Sequence, residues 1–278
     1  MTAATRLIVN ADDFGIAEAV NRGIAEAHDH GIVTSASIMA TGPAFENAVA
    51  LAHQRPSLSI GVHLVLTEQR PLAAAYVPTL VGPEGRFAAH ATELAGRQLA
   101  GRVSLREVKI ELDAQIRRVR GAGLTVTHLD GHQHVHVLPG IARVVAELAA
   151  EHGIAAARYP AERVRGYMLR DVAGIKRLAE QGAVALCSAA SPRQGLRRSD
   201  DFVGFYFGGR LDETNLNTVL DDLPHGRTVE LMCHPGQADM HADGWRYAWA
   251  DELAALTSPR IRERLTARGV QLISYRDL

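Results

Sequence analysis

The sequence predicts an α/β fold, and within that class a single-domain, TIM-like (β/α) barrel that is distorted in two places. Short apolar runs alternate with alanine-rich helical patterns along the 278 residues, and this alternation is typical of a parallel sheet covered by helices. A hydrophobic content of 47% is sufficient for one large core. The alternative, an open doubly wound sheet with a dinucleotide site, lacks support because no G-x-G-x-x-G motif follows the first run.

Eight runs are predicted as strands because they are short, apolar and separated mostly by helical spacing. They comprise residues 6–10, 35–39, 59–66, 125–130, 155–159, 183–187, 228–233 and 270–274. Helices are predicted at residues 16–30, 43–54, 104–120, 139–152, 212–223 and 259–268. The third strand is apolar on both faces, as parallel strands covered by helices are.

Two irregular stretches interrupt this rhythm. Residues 67–103 follow the third strand and contain several prolines and glycines. Long loops inside a compact domain are usually functional, so we expect a lid or substrate-binding insertion there. Residues 189–211 are also predicted to be irregular, with an aromatic patch around Phe205. No repeat or low-complexity linker divides the chain, and residues 1–278 are predicted to form one domain.

The composition argues against several classes of partner. The 30 basic and 31 acidic side chains give a net charge of -1, so no long-range field favours nucleic acid or anionic lipid. No window approaches the roughly 20 apolar residues of a membrane span, and the N-terminus does not resemble a signal peptide. Only two cysteines occur, Cys187 and Cys233, which we expect to be buried. A cytoplasmic protein is therefore expected, with a homodimer as its expected assembly.

Ionisable side chains gather where the predicted strands end, which is where parallel barrels carry their catalytic groups. Asp12 and Asp13 follow the first strand, and His63 interrupts the apolar third strand. Two ionised carboxylates side by side repel each other, and a divalent cation bound to one of them would remove that problem and leave the other as a base. The alternatives are a helix N-cap for the aspartates and a hydrogen-bonded core residue for His63.

A histidine-rich turn, T-H-L-D-G-H-Q-H-V-H, follows the fourth strand. His132, His134 and His136 share one face only if this segment stays extended. Because Gly131 is expected to break the strand, one or two of these side chains are expected to reach the site. The alternative is a surface turn that binds nothing.

One aspartate, two histidines and an open position make a typical hydrolytic metal site. By ligand softness this set suits zinc, with manganese, cobalt and iron as alternatives. Asp130 is placed to accept a ring N–H and so to orient a ligand. His234, after the seventh strand, is a candidate proton donor near neutral pH; the alternative for it is a strand-end histidine that is hydrogen-bonded to backbone.

Four motifs, taken together, resemble those of one known family. I-V-N-A-D-D-F-G, G-V-H-L, T-H-L-D-G-H-Q-H-V-H and M-C-H-P-G occur in this order. In these motifs the chain is similar to the YdjC-like carbohydrate deacetylases, a family that includes chitooligosaccharide deacetylases and deacetylases associated with hopanoid biosynthesis. The resemblance extends from Leu7 to the C-terminus. It is weakest at residues 67–103 and 189–211, where we expect substrate choice to be made.

The resemblance implies a barrel-like fold and the metal-dependent removal of an N-acetyl group from an amino sugar. It implies that Asp13, His63 and His132 bind the metal, that Asp12 is the general base, and that His234 is the general acid. The family is usually described with magnesium, so magnesium and zinc, or another transition metal, both remain open. The expected partner is a small amino sugar or oligosaccharide.

Four further residues are candidates for supporting the site or contacting substrate: Asp130, His134, His136 and Arg158. Arg158 is expected either to hold a sugar hydroxyl or acidic group or to form a surface salt bridge. Aromatic side chains near Phe205 and Trp245 either stack on a pyranose face or pack in the core. The rival functions are a metal-dependent sugar isomerase or phosphohydrolase, and a non-catalytic carbohydrate-binding barrel.

Overall fold

Parallel strands curl into a distorted barrel, which confirms the predicted fold class. The computed structural model describes residues 4–170, 174–192, 195–238 and 247–278. Its strands are β1 (Arg6–Phe14), β2 (Ser35–Ile38), β3 (Ser59–Leu64), β4 (Val126–Gly131), β5 (Ala156–Ala157), β6 (Asp201–Val203), β7 (Thr228–Cys233) and β8 (Gln271–Ile273). They are arranged in the order β5-β4-β3-β2-β1-β7-β6, and β8 pairs with β1. Each pair of neighbouring strands in this sheet is parallel.

Helices follow most of these strands. Those in the described ranges are α1 (Glu18–Asp29), α2 (Phe45–His53), α3 (Ala91–Leu99), α4 (Leu105–Gly121), α5 (Ile141–Glu151), α6 (Ile175–Ala190), α7 (Glu213–Asp221), α8 (Trp249–Thr257) and α9 (Pro259–Ala267). No helix in the described part of the chain is long and apolar enough to span a membrane.

One predicted strand is wrong. Residues 183–187 lie within the helix α6, and the strand on this side of the molecule is β6, which falls in the stretch that was expected to be irregular. The run Ala-Val-Ala-Leu-Cys is short and apolar, so its pattern fits a strand and a helix equally well. Alanine is the strongest helix former, and here the helix forms.

The alternation of side chains along β1 separates two environments. Leu7, Val9 and Ala11 belong to the main hydrophobic core, whereas Ile8 packs in a separate small apolar cluster with Ala156, Ile273 and Tyr275. Successive side chains of a strand point to opposite faces, so Asn10 and Asp12 lie on the same side as Ile8. The carboxyl end of β1 therefore presents polar groups inside the curled sheet.

The curled sheet closes at a narrow seam between β5 and the segment just before β6. An isolated parallel bridge joins Ala156 to Arg197. The Arg197 amide donates to the Ala155 carbonyl at 2.8 Å, and the Ala157 amide donates to the Arg197 carbonyl at 3.1 Å. By contrast, β1 and β7 share a ladder of six registered pairs.

The insertion at residues 67–103 is anchored on α4 through buried Glu111. The two carboxylate oxygens of Glu111 accept the amides of Leu72 and Ala73 at 3.0 and 2.8 Å. A parallel bridge between Thr67 and Ala88 closes the first part of the insertion into a loop, and α3 lies in its last part. The insertion is thus held to the barrel at its base.

Candidate active site

The two adjacent aspartates face one cavity because the backbone turns between them. Asp12 and Asp13 are both buried, at 2% and 1% exposure. In regular extended strand they would point to opposite faces, but Asp13 has φ 65° and the pairing of β1 with β2 shifts register between Ala11 and Phe14. A left-handed backbone at a non-glycine residue is uncommon and concentrates at functional sites. Both aspartates consequently line the same cavity, which has a volume of about 1010 Å³.

Asp13 brings two histidines together. Its Oδ1 atom lies 3.0 Å from His132 Nδ1 and 3.3 Å from His63 Nε2, and the potential donor atoms of these three buried side chains all lie within 4.8 Å of one another. Burial alone would raise the pKa of the Asp13 carboxyl, but the charge and hydrogen bonds of His132 and His63 hold it well below its usual value. The structure therefore gathers side chains from β1, β3 and the turn after β4, as the sequence predicted for a metal site.

His63 is held from its other side by Asp130. The His63 Nδ1 and Asp130 Oδ1 atoms are 2.9 Å apart, and the Ser37 hydroxyl donates to Asp130 Oδ2 at 2.7 Å. Burial would lower the pKa of His63, yet the charge of Asp130 and a hydrogen bond to Asp13 raise it to about 10. Asp130 thus fixes the ring orientation in the way expected of a carboxylate behind a metal-binding histidine.

The group formed by Asp13, His63 and His132 fits a divalent cation. Two imidazoles and a carboxylate are the donor types found in catalytic zinc and related transition-metal sites. Burial would lower the pKa of His132, but the charge of Asp13 and hydrogen bonds to Asp13 and Glu68 raise it. Positive charge is therefore favoured where the donors converge.

Arg158 lies at the centre of the barrel interior and not at the surface. It is 1% exposed, and its guanidinium donates to both oxygens of Asp12 at 2.6 and 2.7 Å. It also lies 3.0 Å from Asp130 and donates to Glu230 at 2.7 Å. Burial opposes its charge, but these carboxylates raise the pKa of Arg158 far above its usual value. The surface salt bridge considered for Arg158 is wrong, and the guanidinium is engaged by carboxylates instead of facing a sugar.

The two remaining histidines of the turn diverge from His132. Gln133 and His134 adopt φ 50° and 56°, so the segment does not stay extended and the three rings do not share a face. His134 lines the cavity with its ring 5.2 Å from that of Phe205. His136 points away and donates from Nε2 to the Arg158 carbonyl at 3.0 Å. Burial is the main cause that lowers the pKa of both rings. The pKa of His134 lies well below its usual value and that of His136 is about 4, so both rings are neutral near pH 7.

His234 reaches the same cavity from the end of β7. Its backbone amide donates to buried Glu252 at 2.6 Å, and its Nδ1 atom lies 4.0 Å from the same carboxylate. The ring packs at 4.9 Å from that of Tyr247. His234 is therefore an imidazole with a nearby carboxylate, on the opposite side of β1 from His63 in the strand order.

His128 packs behind the site, against Ser37 and Tyr275. It stacks on Tyr275 at 3.6 Å and contacts the Ser37 hydroxyl at 3.2 Å. Burial lowers its pKa to about 3, so it is neutral. A Cβ atom at Gly61 would lie 2.4 Å from the His128 ring. The glycine in the G-V-H-L motif is thus required by close packing of this ring.

Three glutamates near the site were missed by reasoning from the sequence: Glu68, Glu230 and Glu252. Glu68 contacts His132 at 3.1 Å, and its position four residues after β3 was a usable signal, because strand-end loops carry site residues in barrels. Glu230 and Glu252 are isolated within a strand and a helix, where a single acidic residue gives no signal. Phe205 lines the cavity, whereas Trp245 lies outside the described residues.

The fold and the site together define a class: α/β-barrel proteins with buried carboxylates and imidazoles at the carboxyl ends of the strands. The model of the YdjC-like protein family matches residues 6–267. This chain belongs to the YdjC-like family. It is 38% identical over 273 residues to a carbohydrate deacetylase of Geobacillus stearothermophilus, with coverage of 97% of this chain and 96% of that protein.

Two further comparisons agree with this assignment. A carbohydrate deacetylase of Mus musculus is 39% identical over 298 residues, with coverage of 98% of this chain and 94% of the relative. A crystal structure of an Enterococcus faecalis V583 protein, named for cellobiose-phosphate cleavage, superposes with a TM-score of 0.78. That protein is 28% identical, and the match covers 99% of both chains.

Proposed function

We propose that this protein is a metal-dependent carbohydrate N-deacetylase that hydrolyses the N-acetyl group of an amino sugar and releases acetate. The observation that carries the proposal is the convergence of Asp13, His63 and His132 beside Asp12 and His234 around one cavity. The names of the curated relatives support the same activity. The proposed substrate is a chitooligosaccharide or another N-acetylglucosamine-containing glycoconjugate.

Asp13, His63 and His132 would hold the divalent ion. Bound there, the ion would supply positive charge that polarises the acetyl carbonyl and stabilises the developing oxyanion. Two imidazoles and a carboxylate suit zinc or a neighbouring transition metal, whereas magnesium prefers oxygen ligands. The family resemblance favours magnesium, so metal analysis has to include both.

Asp12 is the proposed general base. Arg158 and Asn10 donate three hydrogen bonds to its carboxylate, which fixes its orientation while it lines the cavity. Each carboxylate oxygen has two lone pairs, so Asp12 can still accept a proton from the attacking water.

His234 is the proposed general acid. Its position at the end of β7 places an imidazole across the strand order from His63, with its Nδ1 atom 4.0 Å from the Glu252 carboxylate. A protonated His234 donates its proton to the departing nitrogen, so the products are acetate and a free amine. General acid and general base assistance each contribute about 10²–10⁴-fold.

Acetate release from diacetylchitobiose, with and without a chelator, tests the proposal. Asp12→Asn and His234→Ala are each expected to lower kcat by roughly 10²–10⁴-fold while retaining metal, whereas Asp13→Asn is expected to lose metal. Exposed His225 does not line the cavity, so His225→Ala is the control and should be unchanged. Phosphate release from p-nitrophenyl phosphate without any acetate release would instead favour a phosphohydrolase.

A further inference from the structure

We infer that Glu68 is a positioning residue that connects His132 to the wall of the substrate cavity, so that metal binding and the order of that wall are coupled. The inference rests on the metal site of the proposed function. It goes beyond that function because it makes the insertion at residues 67–103 part of the metal site.

The ring of His132 is held between two carboxylates. Its Nδ1 atom lies 3.0 Å from Asp13, and its Nε2 atom lies 3.1 Å from Glu68 Oε2. A carboxylate on the outer nitrogen of a metal-binding histidine fixes the tautomer and the ring orientation. Glu68 holds His132 in this way, just as Asp130 holds His63.

The two carboxylates that orient these histidines, Asp130 and Glu68, belong to different parts of the fold. Asp130 is fully buried in β4, so the barrel itself fixes His63. Glu68 lies in the insertion, and its side chain is 22% exposed. The orientation of His132 therefore depends on the insertion being docked, whereas the orientation of His63 does not.

A second set of contacts extends from Glu68 to α3. Glu68 Oε1 accepts a hydrogen bond from Gln133 Nε2 at 2.9 Å, and Gln133 Oε1 accepts the amide of Ala91 at 2.7 Å. Ala91 is the first residue of α3, where a helix has amides without partners inside the helix. His90 and Ala91 line the same cavity as the metal-binding group. Hydrogen bonds thus connect His132 to the cavity wall through two side chains.

The backbone at both connecting residues is unusual. Glu68 has φ 63° and Gln133 has φ 50°, a left-handed conformation that non-glycine residues adopt only when their surroundings hold them there. The Glu68 amide also donates to the Ala88 carbonyl at 2.8 Å, which fixes Glu68 within the loop closed at its base. The two side chains thus meet between two positions whose backbone is held in this conformation.

Metal affinity is the first test. Glu68→Ala is expected to weaken Zn²⁺ and Mg²⁺ binding by about 10–100-fold, and Glu68→Gln, which keeps one acceptor oxygen, should recover part of the loss. Glu84→Ala is the matched control, because Glu84 is exposed in the same insertion and does not line the cavity. Equal dissociation constants for the Glu68→Ala and Glu84→Ala proteins would overturn the inference.

Amide hydrogen exchange distinguishes the contact of Glu68 with His132 from the contact of Gln133 with α3. In the wild-type protein, metal addition is expected to slow amide exchange across residues 89–99 several-fold. Gln133→Asn keeps a residue that tolerates φ near 50° but is too short to reach α3, so it should retain most of the metal affinity and lose this protection. Equal metal-induced protection in wild-type, Glu68→Ala and Gln133→Asn proteins would contradict the coupling.

The two proposals fail in different ways. Acetate release by a wild-type protein whose metal affinity is insensitive to Glu68→Ala leaves the deacetylase function intact and removes the role of Glu68. A wild-type protein that binds no divalent ion overturns the metal site, and the inference with it.

Discussion

Replacing Arg158 by methionine tests how the interior of the site is held together. The Arg158 side chain is fully buried, and its guanidinium contacts Asp12 at 2.6 and 2.7 Å, Glu230 at 2.7 Å and Asp130 at 3.0 Å. Methionine fills much of the same space without the charge. The variant therefore leaves these three buried carboxylates without their shared cation.

The expected loss in the free energy of unfolding is a large fraction of the stability of a typical domain. Removing one partner of a buried ion pair costs about 3–5 kcal/mol, and domains are usually stable by about 5–15 kcal/mol. We expect Arg158→Met to lower the free energy of unfolding by about 3–5 kcal/mol at pH 7, measured by urea denaturation of the metal-free protein. Arg117→Met is the control, because the Arg117 side chain is 71% exposed in its pair with Asp113 and exposed ion pairs contribute little to stability.

The pH dependence of this loss gives a second check. Burial would raise the pKa of Asp130, but the charges of Arg158 and His63 hold it far below the ordinary value. A carboxyl whose pKa is depressed in the folded state stabilises the fold at pH values above its unfolded-state pKa of about 3.9. This stability is lost progressively as the pH falls below that value toward the folded-state pKa. In Arg158→Met, Asp130 loses the larger of these charges and takes up a proton more readily, so the stability deficit of the variant should shrink between pH 7 and pH 4. A deficit under 1 kcal/mol at pH 7, or one that does not change with pH, would refute the reasoning.

Two further predictions concern the histidines. Carboxylates raise the pKa of His63 to about 10, so this ring is protonated at pH 7 without metal. Zinc binding should then release at least one proton, which calorimetry in buffers of different ionisation enthalpy measures. No release would contradict the assignment of His63 as a ligand. A Cβ at Gly61 would lie 2.4 Å from the His128 ring, so Gly61→Ala should destabilise the fold by about 1–3 kcal/mol, measured by urea denaturation. Gly96→Ala, in α3 with open space around it, is the control and should be neutral or stabilising.

Most strands of the barrel could be predicted from the sequence, because parallel strands covered by helices appear as short runs that are apolar on both faces. Leu7, Val9 and Ala11 are apolar, and so is Ile8 on the other face, which makes the first strand evident. The error at residues 183–187 has a physical cause, since a short apolar run does not distinguish a strand from a helix. The strand β6, with three residues, is too short to show any period.

The candidate site was predictable where polar residues interrupt or end an apolar strand. Such positions predicted that one aspartate of the first strand, His63 and one or two histidines of the turn would meet, and the family resemblance implied Asp13, His63 and His132 in particular. The structure brings these three side chains together. The supporting contacts were not predictable, because they depend on tertiary geometry. The position of Glu68 soon after β3 marks it as a candidate site residue, but nothing in the sequence indicates that its side chain contacts His132. Likewise, nothing indicates that Glu230 lies beside Arg158.

The seam at Ala156 and Arg197 is where we expect the barrel to open first during unfolding. Among the described residues, two backbone hydrogen bonds hold this edge, whereas β1 lies among β2, β7 and β8. Partial openings start where the fewest bonds must break. The sheet should uncurl from this edge while its central strands stay paired, so the amides of Ala157 and Arg197 should exchange with solvent well before those of β1.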